Sequence, residues 1–154
     1  MKTIRCLFVL LTVLGLSHSA LAKSIEMQLT MANYKGSGAY VAVYLMDTNG
    51  RHVQTLAVEG RKKKYQKHLR NWKRVNRSLR FDGLTGASLH RNRSKDYVVT
   101  IDDKYIDSNH FIHIDTAVED EREIPSEVVV LLSHEGVNQP VSGSGYVKSF
   151  VYRF

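Results

Sequence analysis

The pattern of apolar and polar positions predicts a chain built mostly of β-strands. Between Ser24 and Ala32 the two kinds of side chain alternate, as in a strand with one buried face. Other segments are short apolar runs, which fit strands in the middle of a sheet. The seven predicted strands are Ser24–Ala32, Ala39–Met46, His52–Val58, Asp96–Ile101, Phe111–Val118, Glu127–Ser133 and Tyr146–Phe154. Short strands separated by turn signals are typical of an antiparallel β-sandwich.

The connections between these strands carry turn signals. Asp47–Gly50 ends in Asn-Gly, a pair that favours the turns joining antiparallel strands, so a hairpin is predicted there. The acidic connector Glu119–Glu123 and the glycine-rich stretch Gly136–Gly145 are predicted loops.

One segment departs from the strand pattern and predicts an inserted amphipathic helix over about residues 62–80. Its apolar residues are spaced four, three, three and four apart, which places them in one stripe of an α-helix. The stripe consists of Tyr65, Leu69, Trp72, Val75 and Leu79. Basic residues occupy the other faces.

Charge is concentrated in this basic segment, which we define as Arg61–Arg80. It holds ten lysines and arginines and no acid, whereas the rest of the chain after residue 22 has 10 basic and 15 acidic residues, a net charge of −5. Such a dipolar distribution argues against a nucleic-acid-binding protein, whose positive charge covers a docking face. The charges are either solvated, or hold a phosphate-bearing ligand or an acidic partner. A membrane-surface helix is the weakest alternative.

The first 22 residues have the pattern of a Sec-type signal peptide. Lys2 and Arg5 precede the apolar run 7–16, and Ala20-Leu-Ala22 fits a cleavage site. The expected product is a periplasmic, not membrane-spanning, single domain of residues 23–154. Its length suits one core of ordinary size. The only cysteine, Cys6, lies in the leader, so no disulfide is expected.

Side chains suited to catalysis or metal binding are scattered. His110 and His113 are three apart on a predicted strand and so point to opposite faces, which predicts no shared metal. No nucleophile elbow is present, and catalysis by the chain's own side chains is not supported. The remaining candidate is the small-residue stretch Asp82–Ser88. Taken by itself, it fits a turn between a helix and a strand.

This stretch also resembles the Asp-x-x-(Ser/Thr)-Gly-Ala-(Ser/Thr) motif modified by bacterial FAD:protein FMN transferases. Its fixed positions are Asp82, Thr85, Gly86, Ala87 and Ser88. The resemblance implies an FMN attached through a phosphoester to Ser88, as in exported redox proteins. We expect Arg80, Arg91 and Arg93 to lie within reach of its phosphate. The aromatic candidates for stacking on the flavin, each also expected to pack in the core, are Tyr65, Trp72 and Tyr97.

A second resemblance covers nearly the whole chain after the leader. Tyr40–Ala57, Leu69–Arg74 and Thr85–Ser88 look like a family of predicted periplasmic proteins of the DUF 2271 type, a domain of unknown function. Its members resemble immunoglobulin-like sandwiches and are often associated with flavin-transferase and membrane electron-transfer genes. The resemblance therefore implies an immunoglobulin-like β-sandwich, and the apolar spacing adds one inserted basic amphipathic helix to it.

Together these features predict an exported, flavinylated electron-transfer module. Its expected partners are the FMN transferase and a membrane electron-transfer protein, and it is expected to act as a redox carrier rather than a self-contained enzyme. The alternative is a non-enzymatic binding module whose basic helix docks an acidic partner or polyanion. In that case Asp82–Ser88 is only a turn.

Overall fold

The protein folds as a mainly β chain with two sheets and two short helices in the part described. A computed structural model describes residues 21–76 and 83–154. The strands are β1 Ala22–Met31, β2 Tyr40–Met46, β3 His52–Glu59, β4 Leu84–Gly86, β5 Ser94–Asp102, β6 Phe111–Ala117, β7 Glu123–Leu131 and β8 Val147–Arg153. The helices are α1 Lys63–Gln66 and α2 Arg70–Val75. The predicted β class is confirmed.

One sheet has three strands in the order β5-β1-β8, and the other has five in the order β4-β3-β2-β6-β7. The seven predicted strands are all present, although β7 begins at Glu123 inside the predicted acidic connector. The predicted hairpin between β2 and β3 is confirmed, with Asp47 N donating to Arg51 O at 3.0 Å. The Asp47 carboxylate accepts from the backbone N–H groups of Asn49 and Arg51 and so fixes the turn.

The expectation of a wholly antiparallel arrangement is wrong at one edge. β4 pairs with β3 in parallel, with Ala57 opposite Leu84 and Glu59 opposite Gly86. Parallel neighbours require a long crossover connection, and residues 60–83 between these two strands supply it. The basic segment is therefore part of a crossover that returns the chain to the edge of the larger sheet. Part of the predicted 82–88 turn is consequently an edge strand.

Apolar side chains of the two sheets meet in one core. Ile25 and Leu29 of β1 and Phe150 of β8 belong to the same buried cluster as Val43 of β2 and Ile114 of β6. Alternate residues of β2 point the other way and form a second cluster on the outer face of the larger sheet. This cluster contains Tyr40, Ala42, Tyr44, Met46, Val58, Leu69, Trp72 and Ala117, with Tyr65 and Val75 packed against it.

The predicted continuous helix over 62–80 is wrong, because the segment turns between α1 and α2. His68 N donates to Tyr65 O, and Leu69 N donates to Gln66 O, both bonds over three residues. The stripe of Tyr65, Leu69, Trp72 and Val75 is nevertheless confirmed as the buried side of the segment. Leu79 and the rest of 77–82 lie outside the described residues.

The break has a physical cause in the sheet below. Asp115 of β6 is fully buried, and its Oδ2 accepts from the backbone N–H of Trp72 at 2.8 Å, in the first turn of α2. Neither helix has a side-chain cap of its own. A carboxylate at a helix N-terminus satisfies a free N–H and complements the helix dipole. Asp115 thus caps α2 from another element, whereas like charges four apart in the segment disfavour a continuous helix.

A second buried carboxyl lies in the core between the sheets. Glu59 is 2% exposed and shares its face of β3 with Ala57, opposite Val41 of β2. Nearby Tyr97 of β5 is 1% exposed, and its hydroxyl lies beside the Glu59 carboxyl. Burial raises the pKa of Glu59, and the charge of Lys95 offsets this only in part. The pKa of Tyr97 is also raised, by burial and by Glu59.

The predicted signal peptide lies almost wholly outside the described residues. Residues 1–20 lie outside the described part, so the signal peptide stays a prediction, and Ala22 already begins β1. No helix within residues 21–76 and 83–154 is both long and apolar enough to cross a membrane.

We expect Asp115→Ala to destabilise the protein by about 3 kcal/mol or more. The carboxylate accepts from Tyr44 Oη, Trp72 N and Ser126 N, and each buried donor left unpaired costs about 1–3 kcal/mol. Denaturant unfolding measures the loss, and hydrogen exchange of 70–75 should accelerate. The matched control is Asp96→Ala on exposed β5, for which we expect about 0.5 kcal/mol or less. Equal losses in the two variants would contradict the capping role.

Glu59→Gln should change how stability depends on pH. Because the folded pKa lies above the unfolded one, the folded state binds more protons, and wild-type stability falls as pH rises from the ordinary carboxyl range to the raised pKa. The glutamine variant lacks this decline, so its stability relative to wild type should increase with pH. Denaturant unfolding across that range tests this, and parallel pH profiles for the two proteins would refute it.

Candidate functional site

Motif residues 85–88 lie on a short stretch held at both ends by the rest of the fold. On one side, Gly60 N donates to Gly86 O at 3.0 Å, next to the β3–β4 pairing. On the other side, Leu89 and Ala39 exchange backbone hydrogen bonds of 2.7 and 2.9 Å. Tyr34 Oη also donates to Leu89 O. Ala87 and Ser88 are thus presented between two fixed points, with Ala87 exposed and Ser88 half-buried.

Two glycines make room for this arrangement. A Cβ on Gly38 would lie 2.5 Å from Ser88 Oγ, so the serine side chain occupies the space that glycine leaves open. A side chain on Gly86 would collide with the carboxylate of Glu59, its partner in the parallel pairing. The lack of a side chain at Gly86 therefore leaves room for the Glu59 carboxylate against β4. Gly86 of the motif lies next to the carboxylate of the buried Glu59.

Ser88 lies on the wall of a surface groove of about 350 Å³, which we call the Ser88 groove. The groove is lined by Ser37, Gly38, Tyr40, Gly60, Arg61, Lys62, Ala87, Ser88, His90 and Glu119. Arg61 and Lys62 are exposed and stand at the start of the crossover. The serine hydroxyl, two permanent cations and a histidine therefore share one surface, which suits a phosphate-bearing group.

A second groove of about 260 Å³ adjoins the first, and we call it the Tyr65 groove. It lies between α1 and the acidic connector and is lined by Tyr40, Tyr65, His68, Ala117, Val118, Glu119, Asp120, Glu121 and Glu123. Tyr40 and Glu119 belong to both grooves. The ring centres of Tyr40 and Tyr65 are 5.4 Å apart with planes tilted by 52°. This pair forms an aromatic surface next to Arg61 and Lys62, which we call the cationic end of the two grooves.

Cations and acids surround the aromatic pair. Lys64 Nζ lies 4.5 Å from the Tyr65 ring centre and Lys62 Nζ 5.9 Å. The Tyr65 hydroxyl raises the pKa of Lys64, and burial raises the pKa of Tyr40. At the far end Glu123 accepts from His68 Nδ1 and Arg70 Nε. These contacts lower the pKa of Glu123 against the opposing effect of burial, and they tie the basic segment to β7.

The structure brings together only some of the residues predicted from the motif. Thr85 and Gly86 lie in β4, and Ala87 and Ser88 follow it. Arg91 and Arg93 are exposed after Leu89 but do not line the Ser88 groove, so their role stays a prediction. Asp82 and Arg80 lie outside the described residues.

The predicted aromatic residues also divide into two groups. Trp72 is 3% exposed, with Nε1 donating to Thr55 Oγ1 at 2.9 Å, and Tyr97 is buried between the sheets. Both pack in the core, as expected, and neither offers a ring face to a ligand. Tyr65 is partly exposed at the groove.

Sequence reasoning missed the residues that complete the groove around Ser88. Arg61 and Lys62 were noted for charge but not placed beside the motif, because only the parallel β3–β4 pairing brings them there. Tyr40 and Gly38 carried no signal beyond their strand and turn. In residues 21–76 and 83–154 no group of three or more histidine, cysteine, aspartate or glutamate residues is arranged to hold a metal ion.

Comparison with known proteins identifies the family. A model of the family described as "Predicted periplasmic protein (DUF2271)" matches residues 22–149. No curated protein and no solved structure matched the chain. The matched region contains every described strand except the end of β8, and it includes both grooves. The chain therefore belongs to the DUF2271 family of predicted periplasmic proteins.

Proposed function

We propose that the protein is an exported, flavinylated electron-transfer module that carries one FMN by a phosphoester on Ser88. In this role it passes electrons between a membrane reductase and an acceptor, as a redox carrier rather than a self-contained enzyme. The observation that carries the proposal is the position of Ser88. Its side chain lies in a groove with Arg61 and Lys62, at the end of a motif resembling FMN-transferase substrates.

The residues of the groove fit the chemistry of a flavin mononucleotide. Arg61 and Lys62 provide charge-assisted donors for a phosphate on Ser88. The Tyr40–Tyr65 pair provides an aromatic surface in the adjoining groove. Hydrogen bonds on both sides of Ala87 and Ser88 hold the attachment point in place. When bound, FMN would supply the redox chemistry, and the chain supplies position and electrostatics.

Attachment requires a partner enzyme and a balanced transfer. The Ser88 oxygen forms a bond to the phosphorus on the FMN side of FAD, and the pyrophosphate bond breaks. AMP leaves, and the hydroxyl proton passes to the enzyme's base or to water. The exposed Ala87 beside Ser88 has only a methyl group, so a transferase can approach the backbone at this point.

The proposed scaffold for this module is an immunoglobulin-like sandwich. Two sheets that share one core, and mostly antiparallel pairings, support this proposal. The parallel β4 is an addition at one edge, and it contains Thr85 and Gly86 of the motif.

A binding module for an acidic partner or polyanion is the second candidate. Residues 61–76 contain eight lysines and arginines. Among the basic side chains of 61–76, only those of Arg70 and, when protonated, His68 form an ion pair within the described part of the chain. Both pair with the carboxylate of Glu123. Exposed cations that form no ion pair within the described part of the chain suit a partner of opposite charge.

We expect Ser88→Ala to abolish flavin attachment. Wild-type protein isolated from a periplasm with an active FMN transferase should gain the mass of one FMN less one water, whereas the alanine variant should not. The matched control is Ser37→Ala, which changes a serine in the same groove but outside the motif and should leave loading unchanged. Intact-mass spectrometry decides between them. An unmodified wild-type mass would rule out the carrier proposal.

Gly38→Ala should slow attachment several-fold, because the new methyl group would lie 2.5 Å from Ser88 Oγ and force the side chain to move. The measurement is the rate at which purified transferase and FAD load the protein. The control is Gly50→Ala in the β2–β3 turn, whose Cβ meets nothing within 4 Å. Since Gly50 has a φ of 72°, this control should cost about 1 kcal/mol of stability but not loading. Unchanged loading of Gly38→Ala would contradict the assigned position of Ser88.

The second candidate predicts salt-sensitive binding that does not depend on Ser88. Reversing charge at the exposed Lys63, Lys67 and Lys73, each to glutamate, should remove retention on immobilised polyglutamate at low salt. Ser88→Ala should retain it. Retention that survives the charge reversal would exclude the basic segment as the docking surface.

A further inference from the structure

The surface next to Ser88 contains a partly exposed tyrosine, Tyr65. Tyr65 packs partly on the second cluster, while Tyr40 beneath it is 7% exposed and lines both grooves. Gly60 allows this arrangement, because a side chain there would collide with the Tyr40 ring. Its positive φ of 100° also favours glycine. Gly60, at the start of the crossover, thus makes room for the Tyr40–Tyr65 ring pair.

The lysines near Tyr65 do not block its ring. Lys62 and Lys64 are exposed, and at exposed sites a cation over an aromatic ring contributes only about 0.5–1 kcal/mol. A planar aromatic ligand gains a comparable or larger amount by stacking on tyrosine. The lysine chains can therefore turn aside, and their charges remain available to the ligand's polar edge.

The two grooves together have the size of a small-molecule site. Their volumes are about 350 and 260 Å³, and sites for small ligands usually occupy roughly 300–1,000 Å³. The cationic end suits a phosphate, and the aromatic end suits a ring. Trp72 and Tyr97 are buried, so they do not compete for this role.

We propose that the Tyr65 groove receives the isoalloxazine ring of the flavin, which stacks on Tyr65 while its phosphate stays at Ser88. This inference rests on the proposed function, since it assigns the position of the ring for the same cofactor. Tyr65 is then a binding residue. The charge of the basic segment indicated an anion site. In this proposal the segment also contributes Tyr65 to the site that binds the flavin ring.

The test compares Tyr65→Ala and Tyr65→Phe with wild type after loading by an FMN transferase. The matched control is Tyr105→Ala, another partly exposed tyrosine with a lysine over its ring, Lys104 at 5.0 Å, which lies outside both grooves. Intact mass reports attachment, and flavin fluorescence per attached flavin reports stacking, since a stacked tyrosine quenches the flavin. Thermal unfolding confirms that each variant is folded.

We expect equal loading in all variants, fluorescence raised several-fold in Tyr65→Ala, and wild-type values in Tyr65→Phe and Tyr105→Ala. Normal loading with unchanged fluorescence in Tyr65→Ala would overturn the ring site while leaving Ser88 attachment intact. Free FMN titrated into Ser88→Ala protein provides an independent measurement. Its affinity should fall about fivefold on adding Tyr65→Ala.

The titration also separates the two proposals if wild-type protein is never loaded. Free FMN binding that depends on Tyr65 would then support the ring site without the covalent link. Absence of Tyr65-dependent binding in that case would overturn the ring site as well, the carrier having already been ruled out by the unmodified mass.

Discussion

The route of the basic segment depends on one buried carboxylate. Asp115 accepts hydrogen bonds from the α2 backbone, from Tyr44 and from Ser126, and so joins α2, β2 and β7 at one point of the larger sheet. Because a buried carboxylate requires partners, this arrangement is stable only when α2 begins where it does. The position of α2 in turn directs Trp72 and Leu69 onto the sheet and leaves the cations facing water.

The same crossover explains why charge and motif meet. It starts at Gly60, beside the end of β3, and the chain returns as β4 along that same strand. Residues far apart in sequence, Arg61 and Ser88, thereby come to line one groove, and the Gly60–Gly86 hydrogen bond ties them together. Asp115 holds α2 in the middle of this connection, and the β3–β4 pairing fixes its two ends. The Ser88 groove lies at those paired ends and is also lined by Glu119.

Local signals in the sequence predicted most of the scaffold. Alternation identified β1 and β8, the Asn-Gly pair identified the β2–β3 hairpin, and the spacing of Tyr65, Leu69 and Trp72 identified the buried side of the basic segment. The break before α2 was missed because its cause, Asp115, lies 43 residues away. β4 was missed because three residues carry no periodicity, and a parallel edge pairing is a long-range event. The motif indicated Ser88, but the cations beside it depend on that same pairing.

Because Gly86 packs against Glu59, the motif contains residues of two kinds: one that serves the packing of the scaffold and others that would serve modification. A protein that keeps the parallel edge strand and this placement of the buried acid has a packing reason to keep glycine at this position, whether or not a cofactor is ever attached. Retention of glycine 86 among relatives would therefore report inheritance of the scaffold. Selection for modification would instead be visible in the neighbouring pair, Ala87 and Ser88, which face the groove and contribute no pairing to the sheet.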